Sequence, residues 1–151
     1  MATIIRRATK EDCPRIMDLI HELADYEKRP EEVDASLSHF EESCFGPHPV
    51  CWAFVAEIDS IIYGFALYYI RYSTWKGQRM YLEDIYVVPE KRRQGVGKLL
   101  FEQLIIEAEE RKFSGMNWQV LDWNELALGF YRKYKTNFDP VWVNCSIEFK
   151  V

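Results

Sequence analysis

The chain has 151 residues, of which 48% are hydrophobic, so one domain with a substantial core fits and two comfortable domains do not. Its 19 basic and 24 acidic side chains give a formal charge of -5, which argues against nucleic acid as the main partner and is compatible with a cationic substrate. No apolar run approaches the roughly 20 residues of a membrane helix, and no signal-peptide stretch is present. We therefore predict one cytoplasmic domain over residues 1–151, without membrane association.

The first half of the sequence predicts one strand, two helices and three further strands. A strand is expected over residues 3–8, and Thr9 with Asp12 resembles a capping box for the first helix. A shorter helix is expected over residues 36–44. Aromatic and β-branched residues then predict strands over 52–58, 61–72 and 79–88. The first two of these are close enough for Asp59-Ser60 to form a tight turn, which indicates an antiparallel meander.

The second half predicts a long helix, a strand, another helix and a final strand. Apolar residues at helical spacing indicate a helix over residues 97–112, and residues 116–121 are strand-like. Asn124 opens the next helix, and residues 140–151 are expected to form a strand or a short hairpin. The predicted class is therefore α/β with a mixed sheet, and about four helices flank that sheet.

A basic turn with two glycines connects the strand over 79–88 to the long helix. Unpaired backbone N–H groups at a helix start bind anions, and Lys91, Arg92 and Arg93 add formal positive charge. The spacing Arg-x-x-Gly-x-Gly fits neither the Walker pattern nor the dinucleotide pattern, so coenzyme A is a better candidate than ATP or NAD. Cysteines and histidines show no spacing typical of metal ligands, so we expect no metal site and reduced thiols.

The order of elements and several motifs resemble the GNAT acetyltransferase superfamily. Its acetyl-CoA motif is matched by Arg92, Gly95 and Gly97. Three longer runs are similar to the spermidine/spermine acetyltransferase family, and especially to its thialysine Nε-acetyltransferase branch. These runs are Tyr72-Ser73-Thr74-Trp75-Lys76-Gly77, Tyr81-Leu82-Glu83-Asp84-Ile85-Tyr86-Val87 and Val120-Leu121-Asp122-Trp123-Asn124.

This resemblance implies acetyl-CoA as the acetyl donor. In the family, the turn holds the phosphates, and the edge of the preceding strand, broken by a bulge, pairs with the pantetheine arm and polarises the acetyl carbonyl. The segment that begins the later helix adds further contacts. The matching donor-binding residues are Ile85, Tyr86, Val87, Arg92, Arg93, Gln94, Gly95, Val96, Gly97, Lys98, Asn124, Glu125, Leu126, Ala127 and Tyr131.

The resemblance also implies two catalytic residues. An aliphatic amine with a pKa near roughly 10.4 must lose a proton before it attacks, and Glu83 matches the family carboxylate that assists this step. Tyr131 matches the tyrosine that protonates the departing thiolate. Glu83 and Asp84 are adjacent on a strand, so we expect their side chains to point to opposite faces.

Amine recognition is assigned by resemblance to residues of three segments. An ammonium ion suits carboxylates and aromatic faces, and Trp75 is a further candidate wall of the pocket. The family also forms homodimers. The matching substrate-binding residues are Tyr26, Glu27, Glu83, Asn117, Trp118 and Gln119.

The expected reaction is direct acetyl transfer from acetyl-CoA to a small primary amine in a ternary complex. Thialysine, lysine-like amino acids and short diamines are the expected acceptors. Three alternatives stay open: acetylation of spermidine or spermine, acetylation of a protein amino group, and an acyl-CoA-binding module without activity.

Two departures from the family pattern affect these expectations. Arg93 stands where family members usually have a glycine in the phosphate turn, so that turn must accommodate a side chain. After Tyr131 the sequence Tyr134-Lys135-Thr136-Asn137 replaces the usual Gly-Ala ending of the helix. The second departure concerns the tail, and therefore the choice of amine more than catalysis.

Overall fold

The computed structural model describes residues 2–150, which divide into two compact units at residue 120. The first unit contains a five-stranded sheet and three α-helices within residues 2–119. These elements are β1 (Ile4–Arg7), α1 (Cys13–Tyr26), α2 (Leu37–Phe45), β2 (Trp52–Ile58), β3 (Ile61–Ser73), β4 (Gly77–Val87), α3 (Val96–Glu110) and β5 (Met116–Trp118). The second unit, within residues 120–150, contains α4 (Glu125–Arg132).

The sheet has the strand order β1-β2-β3-β4-β5. Neighbouring strands are antiparallel except for β4 and β5, which are parallel and flank α3 in the sequence. This mixed sheet with four α-helices among residues 2–150 confirms the predicted fold class. No helix in this part of the chain is both long and apolar enough to cross a bilayer.

Opposite faces of the sheet carry different helices. Leu67 and Tyr86 belong to a core cluster with Ile16 and Leu19 of α1, so this side of the sheet is the α1 face. On the other side, the Tyr68 hydroxyl lies 2.5 Å from a carboxylate oxygen of Glu107 in α3. We refer to these two sides as the α1 face and the α3 face.

Local signals in the sequence are confirmed where helices and turns begin. The backbone N–H of Thr9 donates to the Asp12 carboxylate at 2.8 Å, as expected of a capping box, although a 3-10 turn at Lys10–Asp12 precedes α1. Asp59 and Ser60 have φ values of 52° and 64°, which is the left-handed geometry of a tight hairpin turn.

The predicted strand or hairpin over residues 140–151 is wrong for residues 140–150, which contain no regular secondary structure. Val151 lies outside the described residues. Apolar side chains alternate along this tail, and Val141, Val143, Ile147 and Phe149 are each more than three-quarters exposed. Alternation indicates which residues could share one face of a strand, but a strand also needs a hydrogen-bonding neighbour.

Candidate active site

A β-bulge interrupts β4 at Glu83. Asp84 lies opposite Leu67 of β3, whereas Leu82 lies opposite Tyr68, so Glu83 is an extra residue without a direct partner. An extra residue of this kind bends a strand and changes the direction of the side chains that follow. The bulge expected in this strand is therefore present, two residues before Ile85.

The bulge brings Asp84 to the α1 face. Leu67 and Tyr69 share this face because they are two residues apart on β3, and their partners are Asp84 and Tyr81. Tyr81 and Asp84 therefore lie on one face although they are three residues apart. The expectation that Glu83 and Asp84 are separated by simple alternation is wrong, because the extra residue breaks that alternation.

Three carboxylates interact electrostatically at this point. Burial raises the pKa of Asp84 to about 7, and the negative charges of Glu83 and Glu27 contribute in the same direction. Burial also raises the pKa of Glu27, with Glu83 adding to this effect and Arg29 opposing it. The cluster therefore attracts cations and contains a carboxyl group that titrates near neutral pH.

Two stacked phenols lie beside the carboxylates. The rings of Tyr69 and Tyr81 are 4.9 Å apart, at an interplanar angle of 27°. Burial raises the pKa of both hydroxyls, and the charge of Glu83 adds to the rise in each case. Carboxylates next to aromatic rings form a suitable environment for an ammonium ion. We define Glu27, Glu83, Asp84, Tyr69 and Tyr81 as the acidic site.

The turn before α3 exposes backbone donors. Gly95 is the N-cap residue with φ of 81°, and among the described residues no side chain caps this helix start. The first intrahelical hydrogen bond runs from Leu99 N to Gly95 O, so the N–H groups of Val96, Gly97 and Lys98 have no acceptor within the helix. A Cβ atom on Gly95 would meet no atom within 4 Å, which indicates open space at the turn. Such an uncapped helix start fits a phosphate group.

The substitution of Arg93 for glycine leaves the turn in a glycine-like conformation. Arg93 has φ of 63°, in the left-handed region that costs a residue with a Cβ atom about 1–2 kcal/mol. Arg93 therefore has a backbone conformation that glycine adopts readily, and it adds a cation at the cost of local strain.

Arg92 connects the turn to the rest of the first unit. Its Nε donates to the Val87 carbonyl at 2.9 Å. Its guanidinium lies 5.3 Å from the ring centres of both Tyr26 and Tyr86. The hydroxyl of Tyr86 in turn donates to Glu22 of α1 at 3.1 Å. Arg92 thereby holds the turn against the ends of α1 and β4. Nearby, the Gln94 side-chain amide donates to the Glu90 carbonyl at 3.1 Å.

The ladder between β4 and β5 is short. It joins Met80, Tyr81 and Leu82 to residues 116–118, whereas β4 continues to Val87 beside β3. Ile85 and Val87 therefore lie on a part of β4 whose second edge has no ladder to β5. This arrangement fits an extended ligand arm that adds to the strand edge.

The expected substrate contacts on β5 lie on different sides of the sheet. Asn117 is opposite Tyr81, and its side-chain oxygen accepts a hydrogen bond from Arg79 Nε at 2.6 Å. Trp118 is opposite Leu82 and packs edge-to-face on Phe101 of α3, with ring centres 5.4 Å apart. Trp118 therefore packs on the α3 face, whereas the acidic site is on the α1 face. Gln119 follows the end of β5.

Trp75 lies at the tip of the β3–β4 hairpin, where its residue is 82% exposed. The strand from Gly77 to Glu83 spans roughly 20 Å at about 3.3 Å per residue. The structure therefore does not bring Trp75 and the acidic site together within one chain.

The second unit contains the remaining predicted residues. Asn124 caps α4, since its side-chain oxygen accepts a hydrogen bond from the Ala127 N–H at 3.1 Å. Glu125 pairs with Arg132 at 3.5 Å, and Leu126 is exposed. Tyr131 is buried, with its ring 5.4 Å from that of Phe130. Asn124 thus fixes the start of the helix that carries Tyr131.

Sequence reasoning did not assign Tyr69, Tyr81 and Asp84 to the site. In the sequence, the two tyrosines have the pattern of ordinary strand residues. Only the register of β3 and β4 shows that their rings stack. The Glu83-Asp84 pair was a visible signal, but only the position of the bulge reveals that Asp84 shares a face with Tyr81.

Comparison with known proteins identifies the class of this protein. The sequence profile of the acetyltransferase (GNAT) family matches residues 13–135. The chain therefore belongs to this family of acetyltransferases, which confirms the fold and the enzyme class predicted from its motifs.

Individual relatives indicate which branch of the family the chain resembles. The chain is 41% identical over 137 residues to the thialysine N-epsilon-acetyltransferase of Bos taurus, covering 85% of this chain and 81% of that protein. It is 39% identical over 139 residues to the Mus musculus protein of the same name, with 87% and 82% covered. These relatives confirm the predicted resemblance to the thialysine branch.

A solved structure has the same fold. An aminoglycoside acetyltransferase from an uncultured soil metagenomic sample superposes with a TM-score of 0.79 at 21% identity, covering 98% of this chain and 97% of that one. At this identity the similarity concerns the fold alone.

Proposed function

We propose that the protein transfers the acetyl group of acetyl-CoA to a primary amine of a small molecule, and that residues 1–151 act as one N-acetyltransferase domain. The acceptor is thialysine, a lysine-like amino acid or a short diamine. Family membership and the thialysine N-epsilon-acetyltransferases of cattle and mouse support the reaction. The observation that carries the acceptor class is the acidic site, where three carboxylates interact electrostatically beside two stacked phenols.

At the acceptor end, the carboxylates perform two tasks. Glu27, Glu83 and Asp84 attract the ammonium form of the amine, and Tyr26, which precedes Glu27 at the end of α1, adds an aromatic contact. Glu83, directly or through water, accepts the proton that the amine must lose before attack. Asp84, with a pKa of about 7, holds this proton near neutral pH. Asn117 and Gln119 contribute to the same pocket on the β5 side, and Trp118 supports it from behind.

At the donor end, acetyl-CoA supplies the thioester carbonyl that the amine attacks. Arg93 and Lys98, together with the N–H groups of Gln94, Gly95, Val96 and Gly97, bind the phosphates. The backbone of Ile85, Tyr86 and Val87 orients the pantetheine arm, with Arg92 holding the strand end. In the second unit, Asn124, Glu125, Leu126 and Ala127 contact the arm, and Tyr131 donates a proton to the leaving sulfur.

The protein acts in the cytoplasm as a homodimer. Support for the homodimer comes from the tail, where the apolar side chains of Val141, Val143, Ile147 and Phe149 are exposed in the single chain. Sedimentation velocity at micromolar concentration should give a mass of about twice 18.0 kDa. A monomer under these conditions would contradict the homodimer.

The reaction is tested by following free coenzyme A release with thialysine, lysine, diamines, spermidine and a lysine peptide. We expect turnover with thialysine and lysine-like acceptors. Glu83→Gln and Tyr131→Phe should each lower kcat/KM by about 10²-fold, since general acid and base groups contribute about this much, without weakening acetyl-CoA binding. Glu31→Gln and Tyr72→Phe alter exposed residues of the same types and should leave the rate unchanged.

The panel also separates the alternatives. Preference for spermidine or for the peptide would reassign the acceptor to a polyamine or to a protein amino group. Tight acetyl-CoA binding without turnover of any amine would indicate a binding module and overturn the proposed activity. A Tyr131→Phe variant with full activity would remove Tyr131 from its assigned role.

A further inference from the structure

Arg71 places a cation beside the acidic site. It lies on β3 two residues after Tyr69, so both side chains belong to the α1 face. Its guanidinium is 5.8 Å from the centre of the Tyr81 ring. Tyr69 and Tyr81 experience the positive charge of Arg71 and the negative charge of Glu83 together. The two phenols therefore lie between a cation and the carboxylates.

The guanidinium of Arg71 is available for a ligand. Arg71 is exposed, and it does not take part in any ion pair among residues 2–150. Its cross-strand partner Arg79 is already engaged, because Arg79 donates to Asn117 at 2.6 Å and to Ser114 at 3.3 Å. A guanidinium that stacks on a ring still presents its N–H edge, which suits bidentate binding of a carboxylate.

The spacing along the sheet suits a short bifunctional molecule. Tyr69 lies opposite Tyr81, Arg71 is two residues farther toward the hairpin tip, and Glu83 is two residues the other way. Four strand positions at about 3.3 Å each separate Arg71 from Glu83 by roughly 13 Å. The side chains of Arg71 and Glu83, with one extended lysine-like amino acid between them, fill this distance.

We propose that Arg71 binds the carboxylate of the acceptor, and thereby selects amino acids with a side-chain ammonium over diamines and polyamines. This inference rests on the proposed acetylation of a small amine. The acceptor's ammonium lies at Glu83 and Asp84, its chain crosses the stacked phenols, and its carboxylate meets Arg71. A diamine has a second ammonium, as the amino acid does, but without the carboxylate that offsets its charge, so it meets a like charge at Arg71. Selection therefore combines attraction of one class with repulsion of the other.

Two acceptors that differ only in the carboxylate test this role. Thialysine has it, whereas bis(2-aminoethyl) sulfide, its decarboxylated counterpart, lacks it. Arg71→Leu should lower kcat/KM for thialysine on the order of 10- to 100-fold, as expected for loss of a charge-assisted hydrogen bond. With the sulfide diamine, kcat/KM should stay the same or rise. Arg71→Lys should restore part of the activity toward thialysine.

The control variant is Lys10→Leu, which removes an exposed cation just before α1, whereas Glu27 of the acidic site follows α1. The helix between them is roughly 20 Å long at about 1.5 Å per residue. This variant should leave kcat/KM unchanged for both acceptors. With the unaltered protein, thialysine methyl ester should react as poorly as the diamine, which tests the carboxylate without any substitution. An equal change with both acceptors in Arg71→Leu, or an ester as reactive as thialysine, would overturn the role of Arg71. Absence of turnover with every amine in the unaltered protein would instead overturn the proposed function.

Discussion

The bulge in β4 and the turn before α3 both interrupt regular secondary structure, and they use the interruption differently. At the bulge, an extra residue brings Asp84 near Glu83 and Glu27, whose negative charges contribute to its raised pKa. The chemistry of this region therefore depends on side chains. At the turn, Arg93 and Gly95 adopt left-handed conformations, and the chemistry belongs largely to backbone N–H groups.

This difference predicts different responses to substitution. A site made of interacting carboxylates should respond to charge and pH, because each group alters the proton affinity of the others. A site made of backbone donors should respond to conformational preference, because its donors are aimed by φ and ψ. The variants below separate these two kinds of dependence.

The largest effect is expected for Asp84→Asn. Because Asp84 has a pKa of about 7, it is protonated below neutral pH and becomes an effective proton acceptor only above it. The ratio of kcat/KM for the unaltered protein to that for Asp84→Asn should rise about tenfold per pH unit below 7 and reach a plateau on the order of 10² above 7. Taking the ratio cancels the titration of the amine itself.

Stability should show the opposite dependence on pH at the same residue. The pKa of Asp84 is raised above its usual 3.8, so the folded protein holds a proton that the unfolded chain releases between about pH 4 and 7. The stability that this bound proton provides is complete below about pH 4 and is lost as pH rises through 7. Asp84→Asn should thus be more stable than the unaltered protein at pH 8, by roughly 1–3 kcal/mol in urea unfolding. A stability difference that does not change with pH would contradict this interpretation of the carboxylate cluster.

An intermediate effect is expected for Gly95→Ala. The φ of 81° disfavours alanine by about 1–2 kcal/mol, and a distorted turn would misalign its N–H groups. The KM for acetyl-CoA should rise about tenfold with little change in kcat, which initial-rate kinetics measures. Gly129→Ala is the matched control: it adds a methyl group within α4 that meets no atom within 4 Å, and it should stabilise the protein by about 1 kcal/mol. Equal KM values in the two variants would remove the turn from donor binding.

The smallest effect is expected for Arg93→Gly. Glycine relieves the left-handed strain at φ of 63° but adds freedom to the unfolded chain, so we expect a net gain of about 0.5 kcal/mol in the free energy of unfolding. Loss of the cation should raise the KM for acetyl-CoA a few-fold. Lys112→Gly, at φ of 59° after α3, should give the same stability gain with an unchanged KM. If both variants raise KM, the effect of Arg93 is not specific to the turn.

Sequence alone predicted the elements of the first unit closely because their signals are local. The strand over residues 52–58 has the predicted bounds, and α3 differs from its prediction by one or two residues at each end. Apolar periodicity and turn residues determine such bounds without knowledge of the neighbouring elements.

Other features depend on contacts that no local pattern contains. The side of the sheet that Asp84 faces follows from the register against β3, and Tyr69 and Tyr81 stack through the same register. The tail has the alternation of a strand but lacks a partner strand among residues 2–150, so its pattern alone predicted the wrong structure. Pairing is a property of two segments, and one segment cannot determine it.

The extra residue in β4 has a consequence for how this protein can diversify. Before the bulge, Leu82 lies opposite Tyr68 of the α3 face; after it, Val87 lies opposite Gly64 of that same face. Deleting Glu83 would therefore leave Leu82 opposite Tyr68 and Asp84 opposite Leu67, and every later residue of the strand would keep its face. The core accordingly does not require the extra residue, and what its deletion removes is the bulge and one carboxylate of the acidic site. Acceptor preference can evolve here by point substitution or by loss of this single residue, whereas homologues with the same acceptor should keep it.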